Sequence, residues 1–411
     1  MIEWKEYKVA EVIEEISMGP FGSNIKRDNY VDSGVPYLNG SNLSSYKLNE
    51  DSFNYVTEEK VNSLGRCVAK RGDVIVTHRG TIGQISYIPN DSKYERYLTG
   101  NSQFRLTVNN KLIRPDFFVY YFHTRMGQYR LLANASQVGV PALARPTSSF
   151  KEVFVPVPIM EIQNKIMDIL HSLDDKIEVN RQINDNLEQQ AQALFKSWFV
   201  DLKPFRDQPF VESELGMIPQ GWRVESLSSI ADYINGLAMQ KYRPTGNETG
   251  LPVLKIKELG QGCCDDNSEL CSPSLIGEKY IIDDGDIIFS WSGTLMVNIW
   301  CGGKCGLNQH LFVVKPYDVP KWFAYQWTKH HLDNFIQIAK DKAVTMGHIK
   351  RGELDKAKVL VPDKDNLAKI SSLMIPIHRQ IISRKIESRR LSSLRDTLLP
   401  RLMSGMLTSM K

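Results

Sequence analysis

The sequence of 411 residues lacks the features that would place it at a membrane. No apolar run approaches the roughly 18 residues needed to cross a bilayer, and the opening MIEWKEYKV has no apolar stretch of signal-peptide type. A formal net charge of +4 allows a nucleic-acid partner without arguing for one. We therefore expect a soluble, cytoplasmic protein with no membrane partner, long enough for about two or three domains.

The usual signatures of catalysis are also missing. There is no GxxxxGK[ST] phosphate loop, no HExxH pair and no GxSxG nucleophile elbow. The Asn/Asp-Pro-Pro-aromatic tetrapeptide of adenine methylation is absent as well. These absences favour a binding protein over an enzyme, and we predict no catalytic residue, metal or cofactor in this chain.

Cysteine is scarce in the first half of the chain, where Cys67 stands alone. The second half holds the other five: Cys263, Cys264, Cys271, Cys301 and Cys305. A Cys-x3-Cys spacing can supply two metal ligands, but it suits a zinc ribbon poorly and has no counterpart in the first half. Reduced cysteines in a β-rich cytosolic domain are the preferred interpretation, with a zinc site as the alternative.

What the chain does contain is a repeat of itself. Trp4 begins a stretch that Trp222 begins again, and later segments return in the same order. The matched segments are residues 72–76 (GDVIV) with 285–289 (GDIIF), Gly80-Thr81 with Gly293-Thr294, and Gln103 with Gln309. Two halves of roughly 200 residues are too long for solenoid repeats, so we predict a duplicated domain with a pseudo-two-fold axis. Such a protein should bind a ligand with two similar but non-identical parts.

A long helical pattern closes each half. From Ile162 to about Val200 there is no Gly or Pro, and apolar or amide positions alternate in steps of four and three, which is a heptad pattern. The second pattern is predicted from Ile377 to Leu399, with prolines disturbing its start and its end. The predicted seam residues are Ile166, Leu170, Leu173, Ile177, Asn180, Asn184, Leu187, Ala191, Leu194 and Trp198 in the first helix, and Ile377, Ile381, Leu391, Leu394 and Leu398 in the second.

The two helical patterns carry opposite charge. Residues 161–203 hold five Lys/Arg and eight Asp/Glu, a net charge of −3, whereas residues 376–411 hold eight and two, a net charge of +6. Opposite charges favour pairing of the two helices with each other. A basic helix that is merely solvated, or that touches DNA phosphate, is the alternative.

These patterns predict an α+β fold. Two similar globular α/β domains are separated by an antiparallel coiled coil of the two long helices. The predicted segments are a first domain at 1–158, a central helix at 159–203, a Pro-rich linker at 204–221, a second domain at 222–362 and a C-terminal helix at 363–411.

Basic, amide and aromatic side chains cluster in turns at matching points of both halves. Arg and Lys can bridge guanine, Asn and Gln can bridge adenine, and further cations can neutralise phosphate. For any single residue an ordinary exposed loop is an equally good explanation, and the recurrence in both halves is what favours DNA binding. The predicted DNA-binding residues are Lys26, Arg27, His78, Arg79, Gln103, Arg105 and Arg145 in the first half, and Lys241, Arg243, Lys257, Trp291, Ser292, Gln309, His310, His348, Lys350 and Arg351 in the second.

The chain runs in the order domain, long helix, linker, domain, long helix. This order and its motifs resemble the specificity subunit of type I restriction-modification systems across nearly the whole chain. The resemblance rests on the repeated Gly-Asp strands, on the steps at 79–81 (RGT) and 292–294 (SGT), on the helix entry at 158–166 (PIMEIQNKI), and on 214–222 (ELGMIPQGW). Two departures stand out. The first domain has no Ile-Pro-x-Gly lead-in before Trp4, and the second helix entry at 362–370 (PDKDNLAKI) lacks the Gln.

The resemblance implies a non-catalytic subunit whose two target-recognition domains each read one half of a bipartite, asymmetric DNA site. The helices would set the unspecified gap. Two methyltransferase subunits would bring S-adenosylmethionine and adenine-N6 methylation, and two restriction subunits would bring ATP- and Mg-dependent cleavage. Two other functions stay open: a coiled-coil scaffold with no DNA role, and a catalytic fragment of a fused restriction enzyme, against which the missing methyltransferase motif argues.

Overall fold

The computed structural model describes residues 4–136, 139–341 and 348–405. Its contacts divide the chain into two compact units, residues 1–173 with 393–411 and residues 174–392. The predicted segments set each long helix apart from the globular domains, whereas this division cuts both helices and gives each unit a part of each. Among the described residues, no helix combines the length and the apolar character that a membrane span requires.

The first unit is built on a four-stranded antiparallel sheet, which we call main sheet 1. In sheet order its strands are Ile13–Met18, Gln103–Val108, Val74–Thr77 and Ile85–Tyr87. The repeated Gly-Asp turn starts the third of these strands, with Gly72 at a φ of 86° that favours glycine. The buried Asp73 carboxylate accepts hydrogen bonds from the Lys70 amide (2.9 Å) and the Thr107 hydroxyl (2.5 Å), which fixes the turn against the sheet.

Shorter elements complete the first unit around main sheet 1. A five-stranded sheet has the order Tyr30–Val31, Asn54–Val56, Val35–Tyr37, Arg96–Leu98 and Val68–Lys70, and two-stranded pairs join Lys5–Lys8 to Phe154–Val157 and Ala135–Ser136 to Ala142–Leu143. The helices are Val9–Val12, Glu58–Ser63, Pro115–His123, Arg125–Leu132 and Pro146–Lys151. The apolar run of Pro115–His123 packs into the main core of the unit, with Phe117, Phe118 and Phe122 fully buried.

The second unit repeats this plan, which confirms the predicted duplication. Its main sheet, main sheet 2, has the order Ala231–Asn235, Leu311–Pro316, Ile287–Ser290 and Met296–Ile299. A second sheet has the order Leu270–Cys271, Leu251–Leu254, Cys305–Leu307 and Ile281–Ile282, and Arg223–Ser226 pairs with Lys358–Val361. The helices are Leu227–Ile230, Ile256–Gln261, Lys321–His330, Leu332–Asp341 and Gly352–Lys356.

The segment predicted as a Pro-rich linker is folded. Phe210–Ser213 and Gly216–Pro219 form an antiparallel hairpin, whose turn uses the positive φ of Gly216. Ile218 is buried in the core of the second unit, and the Phe205 ring packs on Trp222 at 4.8 Å between centroids. The apolar residues between the prolines therefore cover the start of the second domain.

The two long helices are confirmed, with different bounds. The first spans Met160–Phe195 and continues as a π-helical turn, Lys196–Val200, while the second spans Lys364–Met403. The predicted pattern from Ile377 to Leu399 is too short at both ends, because the helix continues through Pro376 and Pro400. Each proline sits on an exposed face, where water can satisfy the carbonyl group that loses its partner.

In the second unit the two helices pair antiparallel. Asn180 is buried; it accepts a hydrogen bond from Arg384 (3.1 Å) and donates one to Glu387 (2.8 Å). Further along the first helix, the positive charge of Lys385 on the second helix acts to lower the pKa of Glu188. Most predicted seam positions are buried or half-buried. Leu394 is a correction, because it is 47% exposed. The buried positions near it are Leu399, Leu402 and Met403.

Candidate nucleic-acid interface

Four loops of the first unit meet at one end of main sheet 1. The Gly19 amide donates to the carbonyl of Gln103 (2.9 Å), and the His78 amide donates to the carbonyl of Ser102 (2.9 Å). The Leu143 amide donates in turn to the carbonyl of His78 (2.8 Å). We call residues 19–27, 78–84, 99–103 and 141–145 together loop cluster 1.

The second unit holds an equivalent set of loops. The Trp291 amide donates to the carbonyl of His310 (3.4 Å), as His78 does to Ser102, and the Ile349 amide donates to the carbonyl of Trp291 (3.2 Å). An isolated β-bridge joins Arg79 to Ala142 in the first unit, and its counterpart joins Ser292 to His348. We call residues 235–243, 290–294, 307–310 and 348–351 together loop cluster 2.

The register of the sheets corrects one predicted match between the halves. Gln103 pairs with Thr77 in main sheet 1, whereas Leu311 pairs with Ser290 in main sheet 2. Leu311 is therefore the counterpart of Gln103, and Gln309 matches Asn101 instead. Matching the two glutamines by sequence alone gave the wrong pair, because the loops before the strands Gln103–Val108 and Leu311–Pro316 differ in length.

Several predicted residues of loop cluster 1 are open to solvent. Lys26, Arg27, Arg79 and Arg145 are exposed, and Arg145 has a left-handed backbone (φ 45°) at the start of a short helix. His78 is half-buried, and its Nε2 atom has no hydrogen-bond partner among the described residues. Burial lowers the pKa of His78, which keeps the imidazole neutral near pH 7. A neutral imidazole can either donate or accept a hydrogen bond at a base edge.

Two predicted DNA-binding residues of the first half lie inside the unit. The buried Gln103 side chain accepts a hydrogen bond from the Gly100 amide (2.9 Å). Arg105 is buried and donates to Glu15 (2.7 Å) and to the carbonyl of Arg66 (3.1 Å). These contacts give both side chains a role in holding the loops, and neither is carried forward as a base-contacting residue.

Loop cluster 2 has an indole ring, Trp291, at the position where loop cluster 1 has the imidazole of His78. The half-buried Trp291 ring stacks near Phe312 (5.7 Å between centroids) and donates from Nε1 to Asn235 (3.0 Å). His348 is exposed and edge-on to the same ring at 6.3 Å, and His310 lies at the same distance. Trp291 is therefore fixed in place and stays partly exposed to solvent.

The remaining predicted residues of the second half differ in how they are held. Ser292 is buried, and Gln309 lies 3.3 Å from His310, both half-buried. Lys241 and Lys350 are exposed. The other predicted cations are exposed and form ion pairs: Arg243 with Glu269 (3.1 Å), Lys257 with Asp265 (3.3 Å) and Arg351 with Asp232 (3.4 Å). Exposed pairs of this kind contribute about 0–1 kcal/mol, so a phosphate group can compete for these cations.

Two residues that shape loop cluster 1, Gln84 and Phe21, are not among the residues predicted from the sequence. Gln84 accepts a hydrogen bond from the Thr81 hydroxyl (2.7 Å) and donates to the carbonyl of Gly40 (3.0 Å), which joins the loop to the turn that follows the strand Val35–Tyr37. Phe21 is 80% exposed beside the basic turn at Lys26 and Arg27. The position of Phe21 between Pro20 and Gly22 was the sequence feature that could have pointed to an exposed ring in a turn.

Both clusters offer exposed cations, amides and aromatic rings, a set suited to contacts with phosphate and base edges. Within the described ranges, no three His, Cys, Asp or Glu side chains are grouped so as to hold a metal ion. Cys301 and Cys305, the pair considered as zinc ligands, are both buried in the second unit, and burial raises the pKa of the Cys301 thiol to about 11.

The model of the type I restriction modification DNA specificity domain matches this chain twice, over residues 1–189 and 219–388. The chain belongs to this family. The two matched segments agree with the two repeated units, and membership assigns the chain the DNA-specificity role that its name describes. The specificity family is non-catalytic.

Curated relatives agree with this assignment along nearly the full length. The chain is 26% identical to the type I restriction enzyme MjaIX specificity subunit of Methanocaldococcus jannaschii, covering 98% of this chain and 93% of the relative. It is 24% identical to the HindI specificity subunit of Haemophilus influenzae, covering 98% and 100%. The fold is similar to the crystal structure of the type I S subunit from M. genitalium, with a TM-score of 0.52, 16% identity and coverage of 98% and 96%.

Proposed function

We propose that this specificity subunit reads a bipartite, asymmetric sequence in double-stranded DNA, with loop cluster 1 contacting one half-site and loop cluster 2 the other. One observation carries the proposal: the same loop scaffold occurs twice but presents different side chains. His78 and Trp291 occupy matching backbone positions, and Arg79 and Ser292, the residues that follow them, form the equivalent β-bridges. Arg79 can bridge a guanine, whereas the buried Ser292 at the matching position cannot, and the Trp291 ring offers a stacking surface where His78 offers an imidazole, so the two half-sites should differ.

The chemistry would come from partners in the cytoplasm. Two methyltransferase subunits would supply S-adenosylmethionine and adenine-N6 methylation, and two restriction subunits would supply ATP- and Mg-dependent cleavage. The paired long helices would set the gap between the half-sites. The residues we assign to DNA contact are the exposed or half-exposed members of the two loop clusters, led by Arg79, Arg145 and His78 in the first and by Trp291 and Lys350 in the second.

Methylome sequencing tests this proposal directly. Cells that carry the intact gene with its methyltransferase should show adenine methylation in a split motif, and cells without the gene should lose that motif alone. The purified complex should bind the same duplex with an affinity that falls steeply as salt rises, because cations release counterions from DNA. A coiled-coil scaffold predicts no lost motif and no sequence-specific, salt-dependent binding. Methylation by the purified chain alone would contradict a non-catalytic subunit.

A further inference from the structure

Phe21 is a large apolar side chain that the fold places in solvent. It is 80% exposed, whereas the preceding Pro20 is buried. Single apolar residues on a surface are ordinary. This one has exposed apolar neighbours in the same stretch of chain, Met18 at 36% and Tyr30 at 40%. Lys26 and Arg27, both exposed, lie between Phe21 and Tyr30.

The backbone that carries Phe21 is held close to the rest of loop cluster 1. The Gly19 amide donates to the carbonyl of Gln103 (2.9 Å), and a Cβ atom on Gly19 would lie 2.0 Å from the carbonyl oxygen of Gly100. Only glycine allows so close an approach. After Phe21 the chain turns at once, with the Asn24 amide donating to the carbonyl of Phe21 (2.8 Å). The ring is thus presented by a short, well-anchored turn.

The same contacts place Phe21 beside the polar groups of the cluster. A Cβ atom on Gly22 would lie 3.3 Å from Nδ2 of Asn101. The Asn101 amide donates to the hydroxyl of Tyr37 (3.2 Å), whose ring packs edge-on against Tyr30 at 5.9 Å. An aromatic ring and exposed cations therefore occupy one end of main sheet 1.

The second unit does not repeat this feature. Gly236 matches Gly19, because its amide donates to the carbonyl of Leu311 (3.0 Å), the residue equivalent to Gln103. The residue two positions later is Ala238, and the next, Met239, is fully buried. An exposed ring at this point is therefore particular to loop cluster 1.

We propose that Phe21 is an aromatic wedge that stacks against a base in the half-site contacted by loop cluster 1, opening one base step of the duplex. This rests on the proposed function. Apolar side chains next to cations are used in this way, because the cations hold the backbone while the ring replaces a base as stacking partner. A wedge on one unit alone would distort one half-site and leave the other regular.

The test uses the full chain in complex with its methyltransferase and a duplex that carries the methylome motif. Phe21→Ala should weaken binding by about fivefold or more, and Phe21→Trp should bind as the unchanged protein does. The slope of affinity against salt should stay the same, because no charge is removed. Phe154→Ala is the matched control, since this 44% exposed ring lies on the strand Phe154–Val157 and outside loop cluster 1; it should leave binding unchanged.

A fluorescent base analogue, 2-aminopurine, gives the second readout when placed in turn at each position of both half-sites other than the adenines that the methyltransferase methylates, because the enzyme would itself unstack those. Binding should raise its fluorescence at one step of one half-site, and Phe21→Ala should abolish that rise. Unchanged affinity and fluorescence for Phe21→Ala, with specific binding intact, would overturn the wedge and leave the proposed function standing. Loss of the methyltransferase from the Phe21→Ala complex would make Phe21 a protein contact and overturn the wedge as well. Absence of specific binding by the unchanged complex would overturn both proposals.

Discussion

Arg79 is an exposed cation on a backbone that is fixed on both sides. Its bridge to Ala142 ties it to one neighbouring segment, and the Gly80 amide donates to the carbonyl of Pro141 (2.8 Å) just beyond it. A long, flexible side chain gains precision from such an anchored backbone, because fewer conformations have to be lost when it binds. Arg79 is therefore the strongest candidate for a direct base contact in loop cluster 1.

We predict that Arg79→Ala relaxes one base of one half-site. Loss of a bidentate contact costs about 1–3 kcal/mol and should leave the other half-site and the gap unchanged. Methylome sequencing of cells that carry the variant is the measurement. Arg96→Ala removes the same charge from a side chain that is paired with Glu58, and it should leave every base of the motif intact. An unaltered motif for Arg79→Ala would remove Arg79 from the interface and make His78 the next candidate.

Residue type alone did not separate side chains that can reach DNA from those that hold the loops. Arg79 and Arg105 look alike in the sequence, yet only the first lies beyond the end of its strand. Arg105 lies within a strand and faces Glu15, with Asp73 3.7 Å away. The alternation of side chains along that strand was hidden, because its two faces both pack against other elements.

At the scale of elements, the paired helices combine an apolar stripe with buried polar groups. Ile381 is fully buried, and so is Asn180, whose side-chain amide bonds to Glu387 and Arg384. Buried amides of this kind are known to fix the register of coiled coils. The four-three spacing predicted the pairing well. It failed at Leu394 because the end of the second helix packs into the core of the first unit, through Leu399 among others.

Because Ile381 is buried and Leu394 is exposed, the same substitution at the two positions should change stability by different amounts. Ile381→Asp should lower the free energy of unfolding by about 3 kcal/mol or more, because it leaves a carboxylate among apolar neighbours. Leu394→Asp should change it by no more than about 0.5 kcal/mol, since Leu394 is exposed. Denaturant midpoints of the two variants provide the comparison. Equal losses for both would mean that the helix seam runs through Leu394 after all.

A second buried polar group joins the helix pair to the second unit. His378 lies 3.4 Å from the Gln326 amide, and its ring is edge-on to Tyr325. Nearby, Glu188 accepts hydrogen bonds from Lys329 (2.8 Å) and Tyr325 (3.1 Å). Burial lowers the pKa of His378 to about 4, although the charge of Glu188 acts in the opposite direction.

This histidine should make stability depend on pH. Its folded-state pKa of about 4 lies below the unfolded value of about 6.5, so protons bind the unfolded chain more tightly. The contribution is complete above about pH 6.5 and is lost progressively as the pH falls toward 4. At pH 5 the loss from this group should be about 2 kcal/mol.

His378→Gln keeps a polar side chain without the titration, so it isolates this group. The unfolding free energy of the variant should fall less between pH 7 and pH 5 than that of the unchanged protein, as measured by denaturation at both pH values. His330 and His331, whose pKa values burial also lowers, titrate in both proteins and cancel in the difference. Parallel pH dependences would show that His378 is not held neutral in the folded chain.

At the scale of the whole molecule, the sequence revealed the duplication because the Gly-Asp strands and helix entries are dictated by backbone geometry and core packing, which both halves must satisfy. The loop clusters escaped such inference, since their conformations depend on contacts between distant segments, such as Gly19 with Gly100. The folded hairpin at 210–219 was hidden by its prolines. These differences follow from one cause: local patterns specify elements, whereas loop placement is a property of the complete fold.

If the helix pair is the spacer between the half-sites, its length should set the gap in the motif. The unit boundary falls at Leu173/Asp174 in one helix and at Ser392/Ser393 in the other. Repeating seven residues at both points, a copy of 167–173 and a copy of 393–399, should lengthen the pair by about 10 Å while keeping the heptad phase. At 3.4 Å per base pair, the gap in the methylated motif should grow by up to about three base pairs.

Both half-sites should keep every base in this variant, because the insertions lie outside both loop clusters. A seven-residue Gly/Ser insertion between Glu214 and Leu215, in the exposed turn of the hairpin, is the control and should leave the gap unchanged. Methylome sequencing reports gap and half-sites together, so the two effects are separable in one experiment. Methylation of the original motif by the lengthened protein would show that the helices do not set the gap. Altered half-sites with the original gap would mean that the insertions disturb the loop clusters instead.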